Sequence, residues 1–296
     1  MIMRYRLQLC LAVAITIFLL VASGKRAPAM KEPLIIRTTN HTEQLQSSQL
    51  QQVCCPILEL RQYTLYPGKR DVLIDLFDRE FVETQEAVGM SIIGQFRDLD
   101  KPDRFVWLRG FPDMPSRARS LTEFYRGPVW KMHSRAANAT MIDAANVLLL
   151  RPALPTSGFS IRKSDRPQPG SNEVDRGLVI ATIYYFSAPA SQDFVDFFEH
   201  NFKPVMTATG VTVEAYFLTE NSANNFPSLP VREGEHVFVW FMRFADQAAY
   251  DRHVAALSRS QRWRNKVATE LARRLKGAPE VLKLSPTSRS LLRGLA

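Results

Sequence analysis

The sequence predicts an α+β protein built from two tandem copies of one βαββαβ unit, and three observations carry that reading. The first is an internal repeat: Phe105-Val106-Trp107 and Phe238-Val239-Trp240, Phe111 and Phe244, Asp113 and Asp246, and Trp130 and Trp263 all stand 133 residues apart. A period of that length is too long for a solenoid and fits a duplicated small domain. The second is the hydrophobic pattern, which switches from strand alternation to helical spacing and back within each copy. The third is composition: 296 residues, 46% hydrophobic and 23% charged, suffice for two ordinary cores.

Residues 1–30 place Arg4 and Arg6 before an apolar run from Leu7 to Ala22, with no acidic residue. This predicts an N-terminal apolar helix acting as a signal peptide, with Val21-Ala22-Ser23 as its cleavage site, or as a membrane anchor. Export or anchoring follows; the alternatives are a cytoplasmic protein starting at Met30 and a mitochondrial one with a transit peptide. Residues 31–55, including HTEQLQSSQLQQ, form a polar linker without apolar periodicity. Cys54 and Cys55 close it, and adjacent cysteines do not readily bridge, so free thiols or an intermolecular disulfide are expected.

The first copy spans 56–152. Leu58 to Leu65 alternates as a strand that Pro67-Gly68 stops, and apolar residues from Val72 to Phe81 recur as a helix over about 69–87. Strands follow at 91–97 and 104–111, joined by a turn-rich linker. A helix over about 116–137 is broken or kinked by Gly127-Pro128, and 147–150 is the last strand. A linker at 153–175 leads to the second copy at 176–286: strand 178–186, helix 192–208, strands 211–218 and 236–244, helix 247–275 and strand 281–284. Residues 219–235 make its hairpin loop longer and more polar, fit to cover a site or simply tolerated. A tail, 287–296, ends the chain.

Each copy gives a four-stranded antiparallel sheet with both helices on one face, the ferredoxin-like arrangement. The other face is too aromatic for water, so the two copies are expected to pack sheet to sheet as a dimeric α/β barrel within one chain. Strand alternation puts Glu59, Arg61 and Tyr63 on one face, with Arg97 of the second strand and Trp107 and Arg109 of the third. Taken as the inner face, with Leu58, Leu60, Val106 and Leu108 toward the helices, this set forms a pocket between the sheets for a small anionic or aromatic ligand, with Trp107 stacking. The competing reading is that the charges pair among themselves and do nothing else. Trp130 and His133 on the second helix complete the candidate pocket.

Net charge is +9, of which +4 belongs to residues 1–55. The rest is modest, and the basic run Arg259 to Lys276 has helical spacing, so no nucleic-acid partner is expected. No phosphate loop, dinucleotide fingerprint or nucleophile elbow occurs, and His41, His133, His200, His236 and His253 lack metal-ligand spacing. No cofactor, no metal and no catalytic residue is predicted.

Glu59-Leu-Arg-Gln-Tyr63, Pro67-Gly-Lys69, Gly94-Gln-Phe-Arg97, Phe105-Val-Trp-Leu-Arg-Gly-Phe111, Gly127-Pro-Val-Trp130 and Asn138-Ala-Thr-Met141 together resemble the NIPSNAP family, closely over about 57–152 and loosely over 176–286. The resemblance implies ferredoxin-like α/β-barrel domains, typically two. It implies no catalytic residues, and it links animal members to mitochondria and vesicle traffic, from which the export-like N-terminus departs. The leading expectation is a non-enzymatic barrel that binds a small ligand, a protein partner or further copies of itself, touching membrane only through its N-terminal segment. The alternative is a cofactor-light oxygenase or isomerase working on a small aromatic or anionic substrate in the barrel cavity.

Overall fold

The computed structural model describes residues 54–171, 173 and 175–295. The predicted signal or anchor helix and the polar linker to residue 53 lie outside the described residues. Among the described residues no helix is long and apolar enough to cross a membrane.

The first copy contains β1 (Ile57–Leu65), α1 (70–87), β2 (Ser91–Asp98), β3 (Arg104–Phe111), α2 (Met114–Arg126), α3 (Pro128–Asn138), a short β4 (Met141–Asp143) and β5 (Val147–Pro152). The second contains β6 (Leu178–Tyr185), α4 (192–208), β7 (Val213–Thr219), β8 (Val237–Phe244), α5 (Gln247–Arg259), α6 (263–274) and β9 (Glu280–Pro286). The strands run in the order β3-β2-β9-β6-β8-β7-β5-β1-β4, and β1 also pairs with β3. Eight of them therefore close into an antiparallel barrel, with β4 appended to β1.

Within each copy the order is that of a ferredoxin-like sheet, β5-β1-β3-β2 and β9-β6-β8-β7. The sheets do more than face each other: their edges are joined by main-chain ladders. Phe96 to Asp98 of β2 pair with Pro286 to Leu284 of β9, and Leu150 to Pro152 of β5 pair with Thr219 to Phe217 of β7. The tail continues one seam, Thr287 N donating to Gln95 O and Leu292 N to Ile93 O.

The barrel interior corrects the face assigned from the sequence. Alternation is as expected, but Leu58, Leu60, Val106 and Leu108 point inward, together with Val179, Ala181, Ile183, Val239 and Phe241 of the second copy. Phe159 from the linker and Leu292 from the tail help fill the same core. An interior closed by two sheets offers few polar partners, so the largely apolar set goes there, with Gln62 as its buried polar member. The set with Glu59, Arg61 and Arg109 turns to the helices, which supply polar partners.

Helix ends follow local rules in both copies. Asp113 and Asp246 accept from the N–H groups of Ser116 and Ala249 at 2.6 and 2.7 Å, capping α2 and α5. Gly127 sits in extended backbone and Pro128 opens α3, so that helix breaks where expected. The single helix expected over 247–275 is also broken, at Ser260, whose Oγ accepts from Trp263 N at 3.2 Å. Ser260 occupies the repeat position of Gly127 and ends one helix by capping the next. Phe77–Phe81 in α1 and Phe198–Phe202 in α4 are both widened into a π turn.

Cys54 and Cys55 are joined to each other by a disulfide, with Cys55 in left-handed backbone at φ 67°. This differs from the free or intermolecular thiols expected from adjacency.

Candidate ligand-binding site

Four charged side chains meet between the first sheet and its helices. Glu59 on β1 accepts from Arg61 Nη1 at 2.6 Å and from Arg109 Nε at 2.7 Å through Oε2, and from Arg117 Nε at 2.7 Å through Oε1. Register makes this unavoidable, because Glu59 lies opposite Arg109 on β3 and Arg61 opposite Trp107. Arg117 enters from the first turn of α2. All four side chains are 0% exposed.

Burial alone would raise the Glu59 carboxyl, but Arg109, Arg61 and Arg117 outweigh it and hold the group well below the usual carboxylate range. Burial pulls Arg61 down, and Tyr63 and Glu59 more than reverse this. Arg117 is shifted down by burial, against the pull of Glu59. Trp107 spreads beneath the cluster, its ring centroid 5.5 Å from the Arg61 guanidinium and 5.0 Å from that of Arg109.

Beside the cluster lies a cavity of about 100 Å³. Its walls are Phe77 and Phe81 of α1, Trp107 of β3, Phe124 and Tyr125 of α2, and Trp130 and Ala137 of α3. Tyr63 and Gln85 also line it, and both are tied to the arginines: Tyr63 Oη accepts from Arg61 Nε at 2.9 Å, and Gln85 Oε1 accepts from Arg109 Nη1 at 3.0 Å. Asn138, Met141 and Leu229, the last from the second copy, also line it.

Leu229 belongs to the long polar loop, which here proves to be a roof. Asn224 Oδ1 and Asn225 Oδ1 accept from Arg117 Nη1 at 3.1 and 2.7 Å, and Asn225 Nδ2 donates to Met114 O at 2.6 Å. Phe226 stacks on Tyr125 with centroids 5.8 Å apart. A hairpin of one copy thus finishes a site in the other.

Of the residues expected from the sequence, Glu59, Arg61, Tyr63, Trp107 and Arg109 come together, and Trp130 joins them at the cavity. Their location is corrected: the site lies between sheet and helices, whereas the space between the sheets is filled. Arg97 stands apart, on the rim, paired with Asp71 of α1 at 2.7 Å. His133 does not line the cavity; its Nε2 is 3.5 Å from Glu80 Oε2 on the outer side of α1. Sequence reasoning missed Arg117 and Gln85, and left the loop over 219–235 open between covering a site and a tolerated insertion. Among the described residues no group of three or more His, Cys, Asp or Glu is placed to hold a metal ion.

The second copy is an internal control. Ile180 lies opposite Met242, and Thr182 opposite Trp240, at the register positions of Glu59–Arg109 and Arg61–Trp107. Tyr250 stands at the helix position of Arg117, Met206 at that of Gln85 and Leu271 at that of Asn138; Met206 and Leu271 are buried in the second core. These pairs follow an offset of 121 before the hairpin and 133 after it, the difference being the added roof. One fold is thus built twice, once with the charged cluster and once without.

Residues 58–155 match the family model described as NIPSNAP. Among solved structures, an uncharacterized NIPSNAP domain protein from Burkholderia xenovorans is 16% identical, covering 33% of this chain and 94% of its own, with a TM-score of 0.31. A NIPSNAP family protein from Agrobacterium tumefaciens str. C58 is 19% identical over 33% of this chain and 92% of its own, TM-score 0.30. A candidate monooxygenase from Fusobacterium nucleatum subsp. nucleatum ATCC 25586 spans more, 82% of this chain and 97% of its own, at 11% identity and a TM-score of 0.50, a likeness of fold. No curated protein matches the chain. The segment that supplies Glu59, its three arginines and most of the cavity wall thus lies within the residues that match the NIPSNAP family model.

Proposed function

We propose that this protein binds a small, flat, largely apolar molecule in the sheet–helix cavity of its first copy and does so without chemistry. One observation carries the reading: the first copy holds a cavity of about 100 Å³ walled by aromatic rings, where the second copy places Met206 and Leu271 in its core. Apolar cavities of comparable size, about 150 Å³, stay dry and accept benzene. The two halves differ in the one respect a ligand would require.

The second reading is the cofactor-light oxygenase or isomerase. What favours it is the fold shared with a candidate monooxygenase, together with Tyr63, a phenol that burial keeps protonated despite Arg61. Against it, no residue lining the cavity is Asp, Glu, His or Lys, and removing a proton from a substrate needs a base within hydrogen-bond reach. Binding without turnover is the better supported.

The test is calorimetric titration of the full chain with indole and toluene, repeated on Ala137→Leu and Ala144→Leu, which fill the cavity from two sides. Saturable binding that both variants lose supports the reading. No saturable binding at millimolar probe, or binding that survives both substitutions, overturns it. Consumption of probe on incubation with protein in air would favour the oxygenase.

A further inference from the structure

The Glu59 cluster is unbalanced. One carboxylate faces three guanidiniums, all fully buried, and Arg61 Nη2, Arg109 Nη2 and Arg117 Nη2 have no partner among the described residues. Buried cations and unpaired donors are costly, so a fold that kept them for stability alone would be improved by losing them. The second copy has done so, with Ile180, Thr182, Met242 and Tyr250 at the four positions. Surplus positive charge is therefore no requirement of this architecture.

The cavity wall nearest the cluster presents donors. Tyr63 is 7% exposed and lines the cavity. Because its oxygen accepts from Arg61 Nε, its own proton is free to be given away. Gln85 is 1% exposed; its Oε1 is occupied by Arg109 and one Nε2 proton goes to Phe81 O at 3.0 Å. The second Nε2 proton is left over. Both polar groups thus offer hydrogens polarised by a guanidinium behind them, and the remaining walls are rings and aliphatic side chains with the Asn138 amide among them.

We infer that the occupant of this cavity is a small aromatic anion of the arene carboxylate class, its ring against Trp107 and Phe77 and its oxygens accepting from Tyr63 and Gln85. The guanidiniums behind those two residues balance its charge. Inorganic oxyanions fit poorly, because most of the remaining wall is apolar: Leu73, Phe77, Phe81, Phe124, Ala137 and Leu229 line it. This rests on the cavity being a ligand site.

The experiment compares benzoate with benzamide, its neutral isostere, on the full chain at neutral pH. Three proteins are titrated: the wild type, Tyr63→Phe, and the four-site exchange Glu59→Ile, Arg61→Thr, Arg109→Met and Arg117→Tyr, which copies the second half. Benzoate is expected to bind the wild type roughly 10- to 100-fold more tightly than benzamide, the worth of one or two hydrogen bonds to a charged group. Tyr63→Phe should lower benzoate affinity about tenfold, and the four-site exchange should erase the preference while benzamide still binds. Equal affinities, or a preference that survives the exchange, would overturn the anion assignment and leave the cavity standing. Failure of indole, benzoate and benzamide alike would remove the cavity reading and this inference with it.

Discussion

Replacing Glu59 with isoleucine, the residue at its repeat position, should unfold the protein far more readily than replacing the whole cluster. The single change deletes the carboxylate that holds Arg61, Arg109 and Arg117 at 2.6 to 2.7 Å, and leaves three buried guanidiniums facing one another. Breaking a buried pair by removing one partner costs about 3–5 kcal/mol, and each like-charge contact that replaces it adds repulsion of roughly 4 kcal/mol at 4 Å and an effective dielectric of 20. Water entering through the roof would relieve part of this. A loss of about 4 kcal/mol or more is expected, from roughly a quarter to most of the 5–15 kcal/mol available to an ordinary domain. The four-site exchange removes the stranded charges together and installs the side chains of a working core, so its stability should fall within about 2 kcal/mol of the wild type or exceed it. Urea denaturation followed by tryptophan fluorescence gives both values, with an unchanged slope reporting the same surface exposed. If Glu59→Ile costs under about 1 kcal/mol, the cluster is hydrated and its burial is no constraint. If the four-site exchange is worse than the single change, the charges are required to fold, and the comparison between copies misleads.

Three further outcomes follow. Burial pushes Asp78 up to about 6 from 3.8, against the pull of Arg289, so folding favours its neutral form; that contribution is complete below about pH 4 and lost as pH rises through about 6. Asp78→Asn should then raise the thermal midpoint at pH 8, by about half as much at pH 5, and leave it nearly unchanged at about pH 3.5, with a ceiling of about 3 kcal/mol; equal gains at pH 8 and 3.5 would refute it. Asn225→Ala, losing its bonds to Arg117 and Met114 O, should cost about 1–3 kcal/mol and expose residues 220–236 to limited proteolysis. Ser260→Ala should cost about 1 kcal/mol by uncapping α6, and Ser260→Gly only a few tenths, read from denaturation midpoints.

Much of the architecture was legible because it rests on local rules. Phe105 to Phe111 alternates, Asp113 caps, Gly127-Pro128 breaks a helix, and a fixed repeat offset declares the duplication. The side of the sheet was not legible, since alternation separates Glu59 from Leu60 without saying which faces the barrel. That choice belongs to the assembled object, where the interior takes the set with fewer polar atoms, Gln62 being its buried exception. Ser260 was read as helix interior because serine carries no breaking signal by itself; only its alignment with Gly127 shows the cap. Arg117 and Asn225 belong to no motif and were not singled out from the sequence. Arg117 was recoverable from the repeat, where it meets Tyr250 at the offset of 133 as Gln85 meets Met206 and Glu59 meets Ile180 at 121; Asn225 was not, because it lies in the stretch of hairpin that the first copy lacks.

The roof loop has a consequence for how the two halves hold together. Asn224, Asn225, Phe226 and Leu229 come from the second copy, yet they close a cavity whose walls belong to the first. A chain nicked between residues 153 and 171 would become two fragments joined by the strand seams and by this clasp. Any molecule seated in the cavity would bind the pair better than either fragment, and by mass action would tighten their association in proportion to its own concentration. Occupancy and self-assembly are then one equilibrium read at two ends, and a split reporter built at that linker would convert the ligand into a signal of reconstitution.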